Sequence, residues 1–236
     1  IEFDAEKAIA ENETLRKHVM IVIPISESYQ WCMGHLLNNI LQLDYWKRDL
    51  TIYFAINNSG PNFHNDLKNW ATQQVNMFKY KEIFIPEKVF QHDNHLERIA
   101  WARNSAVVLA EQVKAEYIFY WDCDLMLPAD TIKKLLALNT DIANGVYPYK
   151  GLKEPILFKV KEDIGDIGKY DEDIQAQEDL FDLTTDPKLP IAGLGVFRCA
   201  PELINGNRII ECDAAGFGCT LVKTEVMKQI PVELRK

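Results

Sequence analysis

The stretch Tyr117-Ile118-Phe119-Tyr120-Trp121-Asp122-Cys123-Asp124 decides how the rest of the chain is read. Its first half is aromatic and apolar without a polar break, as expected of a strand buried on both faces of a parallel sheet. It then stops on two carboxylates. Side chains alternate along an extended chain, so Asp122 and Asp124 are expected to point one way and Cys123 the other. Paired carboxylates on one rim suit a hard divalent cation, magnesium or manganese, that keeps positions open for phosphate oxygens. An isolated Asp-x-Asp is more often structural, one acid capping the turn towards Pro128 and the other simply exposed. Delivery of both acids by a buried strand to a ligand-binding edge favours a site.

Outward from this strand the chain alternates between two periods. Val19-Met20-Ile21-Val22-Ile23-Pro24, Leu50 to Ile56 and Glu82 to Ile85 read as further buried strands. Between them, Trp31 to Leu43 carries Leu36, Leu37, Ile40 and Leu41 at helical spacing, and Asp66 to Phe78 also reads as a helix. Leu96 to Val113 places Ile99, Ala102, Ala106 and Leu109 on one side, and Thr131 to Leu138 is a further helix. Strands alternating with helices predict an α/β fold: a mostly parallel central sheet, helices on both faces, and ligands beyond the carboxyl ends of the strands. Pro24, Asn57 to Ser59 and Asp122 fall on that edge. Asp141 to Tyr147 and Ile156 to Val160 read as strands of a smaller mixed region, Arg208 to Asp213 as another strand, and Thr224 to Gln229 as a helix start. Glu6 to Lys17 suits a peripheral helix or leader.

Bulk properties exclude several classes of function. A length of 236 residues suits a single domain, and 47% apolar with 26% charged residues is ordinary for a globular protein. No apolar run approaches the roughly 20 residues that a membrane span requires. Ile1-Glu2-Phe3-Asp4 is acidic and lacks the basic-then-apolar pattern of a secretory signal, so a cytoplasmic location is the expectation. The net charge of -9 argues against nucleic acid as a partner. Most of that charge lies between Lys161 and Asp186, where ten acids face two lysines, as in a solvated loop. The five cysteines are odd in number and form no Cys-x-x-Cys pair, which points to a reducing compartment and away from a zinc cluster.

The order of Ile23-Pro24 after the first strand, Asn57-Asn58-Ser59 after the second, Ala102-Arg103-Asn104 in the helix before the acids, and Tyr120-Trp121-Asp122-Cys123-Asp124 resembles GT-A type glycosyltransferases, in particular the family 2-like nucleotide-sugar transferases. The later stretch Asp213-Ala214-Ala215-Gly216-Phe217-Gly218-Cys219-Thr220-Leu221-Val222-Lys223-Thr224-Glu225-Val226 is similar to the Gly-rich turn, strand and helix that lie near the acceptor in that family. The likeness runs from about Val19 to Gln229. It implies one GT-A domain over residues 1–236: a leader at 1–18, a nucleotide-sugar-binding half at 19–138 and an acceptor-side half at 139–236. It also implies a UDP- or GDP-linked sugar donor, Mn2+ or Mg2+ as cofactor, and a glycan, lipid or protein acceptor. Under the resemblance Asp122 faces the ribose or the metal, Asp124 binds the metal, and Pro24, Ile25 and Ser26 border the base with Asn57 and Asn58 beside them.

Each of these residues also has a plainer reading. Asn57 to Gly60 suits turn chemistry alone. Arg103 suits a diphosphate or Asp122, and equally an ion pair within its helix. Asp93 and His95 suit the nucleotide or an ordinary polar loop, and Trp31, Tyr45, Trp46, Trp70 and Trp101 suit the core or a sugar face. In inverting relatives an acidic base in a Glu-Asp pair and a metal-binding histidine follow the Gly-rich segment, and here both are expected past Lys236. Glu178-Asp179 comes too early, leaving Asp213 as the in-chain candidate for the base. Two other functions compete. A nucleotidyltransferase is expected to carry a Gly-rich basic loop where this chain has Pro24-Ile25-Ser26-Glu27-Ser28. A non-catalytic nucleotide-sugar-binding module is expected to keep the fold without the base.

Overall fold

The computed structural model describes residues 16–78, 80–87, 89–147, 157–160, 196–198 and 214–230. In chain order the elements are β1 (Val19–Ile25), α1 (Gln30–Gln42), β2 (Leu50–Ile56), α2 (Pro61–Phe78), β3 (Glu82–Phe84), α3 (His95–Val113), β4 (Tyr117–Trp121), α4 (Thr131–Ala137), β5 (Ile142–Asn144), β6 (Leu157–Val160), β7 (Val196–Arg198), β8 (Ala214–Ala215), β9 (Cys219–Lys223) and α5 (Thr224–Gln229). They belong to two compact units. The described residues 16–145 and 217–230 form the larger, and those between Val146 and Gly216 belong to the smaller.

In the larger unit the apolar runs do what their composition dictates. Every residue of β2 is buried, and in β1 only Pro24 is not fully so. The six-stranded sheet has the order β3-β2-β1-β4-β9-β5. β1 pairs in parallel with β2 and β4, and β2 with β3, giving the mostly parallel α/β sheet that the sequence predicts. Successive crossovers step from β1 to β2 to β3, and the chain then returns to place β4 on the other side of β1. The order therefore reverses between β1 and β4, and the carboxyl ends diverge there to leave a crevice. Pro24 fits this position: its pairing with Ala55 of β2 persists, whereas the register with β4 ends at Val22 and Tyr120, so its missing N–H is no loss on that side.

Helix α3 lies against the sheet through Ala102, Ala106 and Ala110, which meet Met20, Val22, Tyr53, Ile118 and Tyr120. Small side chains bring its backbone near the strands, and the Tyr53 hydroxyl reaches the Ser105 hydroxyl at 3.0 Å. α2 begins at Pro61, earlier than the apolar pattern suggests, because proline suits the first helical position, where no N–H partner is available.

Two elements differ from expectation. Ile142–Asn144 does not found a separate region; it forms the edge of the main sheet against β9. β9 lies antiparallel between β4 and β5, with Trp121 opposite Cys219 and Asn144 opposite Thr220. Its neighbours are remote in sequence, so no local pattern announces the pairing. In the smaller unit β6, flanked by β7 and β8, forms a three-stranded antiparallel sheet. The expected leader helix at Glu6 to Lys17, apart from residues 16 and 17, and the expected strand at Arg208 to Asp213 lie outside the described residues. Among the described residues no helix is long and apolar enough to cross a membrane.

At the amino end of the sheet His18 ties three segments together. One ring nitrogen, Nδ1, sits 3.0 Å from the Lys114 carbonyl, and the other, Nε2, sits 2.9 Å from the Thr51 hydroxyl. Burial lowers the imidazole pKa below its ordinary 6.5, the Lys114 carbonyl opposes this, and the Lys81 ammonium, 3.0 Å from Nδ1, lowers it again. A folded pKa below the unfolded value means that the unfolded chain binds the extra proton first. The stability contributed is complete above about 6.5 and is lost as pH falls from there through the folded pKa. Thermal melting between pH 8 and pH 5 should show a decline below pH 6.5 that is shallower in His18→Gln; equal slopes would remove this role.

Candidate functional site

The acids do not continue the strand. β4 ends at Trp121, the last residue paired with β9, and the Asp122 N–H bonds to the Gly218 carbonyl at 2.8 Å. The chain then turns, the Leu125 N–H bonding to the Asp122 carbonyl at 3.0 Å and the Trp121 indole N–H to the Leu125 carbonyl at 2.9 Å. A turn takes the place of the expected extended strand, and within it Cys123 is 4% exposed, Asp122 half-buried and Asp124 exposed. Among the described residues neither carboxylate accepts a hydrogen bond, so neither caps the turn towards Pro128; that carbonyl takes the Thr131 hydroxyl at 2.7 Å.

Two side chains of α1 hold the turn in place. The Cys32 thiol donates to the carbonyls of Tyr29 (3.1 Å) and Cys123 (3.4 Å). Asn39, 9% exposed, donates through Nδ2 to the Leu127 carbonyl at 2.8 Å and accepts the Leu127 N–H on Oδ1 at 2.7 Å. That bidentate clamp fixes the segment just past the acids. Burial pushes the thiols of Cys32 and Cys123 up, so both stay neutral. Burial likewise pushes Cys219, opposite Trp121, up to about 12.

A cleft of about 390 Å³ opens at the switch point between β1 and β4. Pro24, Ile25 and Ser26 form one wall with Ser28 and Tyr29; Asp122, Cys123 and Asp124 form another; Asn57, Arg98 and Ile99 complete it. A larger cavity of about 470 Å³ lies at the opposite end of the sheet around Lys17, Lys114, Glu116 and Lys228. Lys17 and Lys228 there pair with Glu116 and Glu111 at 3.3 Å each. The Glu116 and Glu111 carboxylates there are thus paired, whereas the acids of the smaller cleft have no such partner among the described residues.

Charge in the cleft is balanced on Asp122. Burial raises its carboxyl pKa, the Arg103 guanidinium pulls it down, and the neighbouring Asp124 raises it again. Burial also raises the Tyr29 phenol, with Cys123, Asp124 and Asp122 adding to the effect, which places its ring close to the acids. Arg103 itself lies over the Phe217 ring, 4.5 Å from the centroid, and is not a wall of the cleft.

The asparagines divide. Asn57 is 7% exposed, lines the cleft and gives its N–H to the Ile25 carbonyl at 2.9 Å, while its side-chain amide has no hydrogen-bond partner among the described residues. Asn58, at φ 40°, spends both ends of its amide on the main chain of His92, at 2.9 Å each, and braces the loop instead of lining the cleft. Asp93 offers its carbonyl to Arg98 at 3.1 Å. Asp213, Glu178-Asp179 and the side chain of His95 lie outside the described residues.

The structure thus brings Pro24, Ile25, Ser26, Asn57, Asp122 and Asp124 together, with Arg103 acting on Asp122 from beside Phe217. Tyr29, Arg98 and Asn39 escape the sequence reading. Their one local signal is position, Tyr29 just after the first strand and Arg98 in the first turns of the helix that feeds β4.

No family model matches the chain, and no curated protein sequence matches it. Among solved structures it is similar to the mannosyltransferase PcManGT from Pyrobaculum calidifontis in complex with GDP-Man and Mn2+, at 17% identity and a TM-score of 0.42. The match covers 58% of this chain and 38% of that one.

Replacing Asn39 by leucine leaves the half-buried Leu127 N–H and carbonyl without their side-chain partner. Asn39→Leu should lose about 1–3 kcal/mol in urea unfolding, read as a lower midpoint at unchanged slope. An unchanged midpoint would show that the clamp is dispensable.

Proposed function

We propose that the chain is a glycosyltransferase that takes its sugar from a UDP- or GDP-linked donor, with a divalent cation bound at Asp122 and Asp124. One observation carries this reading: two carboxylates without hydrogen-bond partners among the described residues share a cleft with Arg98 at the switch point of a parallel sheet. Groups of this kind at this place suit a ligand that is both metal-bound and anionic.

The donor set fits such an ion. Two carboxylates are hard oxygen ligands suited to Mg2+ or Mn2+. Among the described residues no group of three His, Cys, Asp or Glu side chains that could hold a metal ion is present, so these two carboxylates would leave positions open for phosphate oxygens. When bound, the cation neutralises charge on the departing diphosphate. The chain's own residues prepare the rest. Arg103 favours the ionised form of Asp122 against its burial, Asp124 presents an exposed carboxylate, and Pro24 and Ile25 give an apolar wall for a base. The Asn57 amide supplies a donor and an acceptor beside that wall.

In the transfer, the bond from the anomeric carbon to the diphosphate oxygen breaks with its electron pair leaving on that oxygen. The acceptor hydroxyl oxygen forms the new bond and gives up its proton. For an inverting reaction a carboxylate takes this proton, and Asp213 is the in-chain candidate. The acceptor is a glycan, lipid or protein hydroxyl.

Calorimetric titration of UDP and GDP with and without Mn2+ tests the site. Affinity should rise with metal in the wild type, and Asp124→Ala should lose about tenfold or more of it together with the metal dependence. Equal binding without metal would remove the metal role. Release of UDP or GDP from a panel of their sugars, with sugar and lipid acceptors present, tests turnover. Metal-dependent binding without release would mark a binding module in place of an enzyme.

A further inference from the structure

Arg98 stands apart from every other cation near the acids. It lines the cleft itself, whereas Arg103 lies against Phe217. It is also aimed: its Nη1 donates to the carbonyls of His92 at 2.7 Å and Asp93 at 3.1 Å. Those carbonyls belong to a braced loop. Asn58 grips the His92 main chain on both sides, Phe90 bonds to Ile56 and Asn58 through its backbone, and the Phe90 ring stacks between His92 (6.0 Å) and Trp101 (4.6 Å). A guanidinium anchored in this way has already lost much of its rotamer freedom, and its planar fork suits phosphate oxygens.

Resting on the nucleotide-sugar reading above, we propose that Arg98 is the phosphate-gripping residue of the cleft, holding the diphosphate of the donor opposite Asp122 and Asp124, and that Arg103 serves only to tune Asp122. The carboxylates and the diphosphate repel one another, and a cationic side chain in the wall of the same cleft offsets part of that repulsion. The residue is a binding and positioning group, and the loop from Phe90 to Asp93 is its scaffold.

The test is a ladder of ligands, UDP, UMP and uridine with the GDP, GMP and guanosine series, titrated with Mn2+ into wild type, Arg98→Gln, Arg98→Lys and Arg103→Gln, each checked for fold by circular dichroism. Arg98→Gln should weaken the diphosphates about tenfold or more and leave the nucleosides within about twofold, with Arg98→Lys in between. Arg103→Gln, acting through Asp122 and its cation, should weaken the diphosphates only when Mn2+ is present, whereas the loss in Arg98→Gln should persist in titrations without it. Equal loss across the ladder in Arg98→Gln would make Arg98 a loop brace and overturn the proposal, as would unchanged diphosphate affinity. A wild type that binds none of the diphosphates would instead overturn the nucleotide reading itself, and this proposal with it.

Discussion

The structure depends on one constraint: β1, β2 and β4 are sealed on both faces. Val19 to Ile23, Leu50 to Ile56 and Ile118 to Trp121 are almost wholly without solvent exposure, so a ligand can be met only at the strand ends, as at Pro24 and Ile25 of β1. Polar chemistry is confined to the strand ends. The strand order then selects the place among those ends, because only between β1 and β4 do the connections part in opposite directions. Pro24 loosens β1 there on the β4 side, and Asp122 begins where β4 loses its pairing with β9. The same burial that stabilises the sheet therefore fixes where its acids and amides gather.

Gathering them has an energetic consequence. A half-buried carboxylate at the end of such a strand is opposed by desolvation and by its neighbour Asp124, and Arg103 only partly offsets both. The turn is held despite this by bonds that make no use of the carboxylates: the Asp122 N–H to Gly218, Trp121 to Leu125, Asn39 to Leu127, and the buried Cys123 facing the α1 thiol. The backbone is satisfied while the acids are left for something else. That division is common where a protein stores unfavourable charge at a functional site.

What was legible in the sequence follows the same physics. β1, β2 and β4 can be read from local runs because burial on both faces leaves them almost wholly apolar, and a proline, asparagine or aspartate marks where each run stops. That Pro24, Ile25, Ser26, Asn57, Asp122 and Asp124 gather at the cleft was legible for the same reason, since they lie at or just past the ends of such runs. The pairing of β9 was not, because it is inserted between strands from elsewhere in the chain. Asn58 looked like its neighbour Asn57, yet its positive φ swings its amide onto His92. Asn39 lies within a helical pattern whose polar member gives no sign of facing inward towards Leu127. These are tertiary facts, and no local period encodes them.

The two arginines of α3 show how far position on one helix separates roles that composition makes look alike. Five residues apart, they differ by about 140° around the axis and about 7.5 Å along it. The earlier one is carried towards the loop from Phe90 to Asp93 and the mouth of the crevice, the later one towards Tyr120 and Phe217, where the Tyr120 hydroxyl meets the Arg103 carbonyl at 3.4 Å. From there Arg103 acts on Asp122 through its field and not through the cleft wall. A charge beside an acid changes that acid's protonation, whereas a charge in the wall changes what the cleft attracts. Sequence proximity to the acids pointed to Arg103, whereas helical phase gives Arg98 the position in the cleft wall.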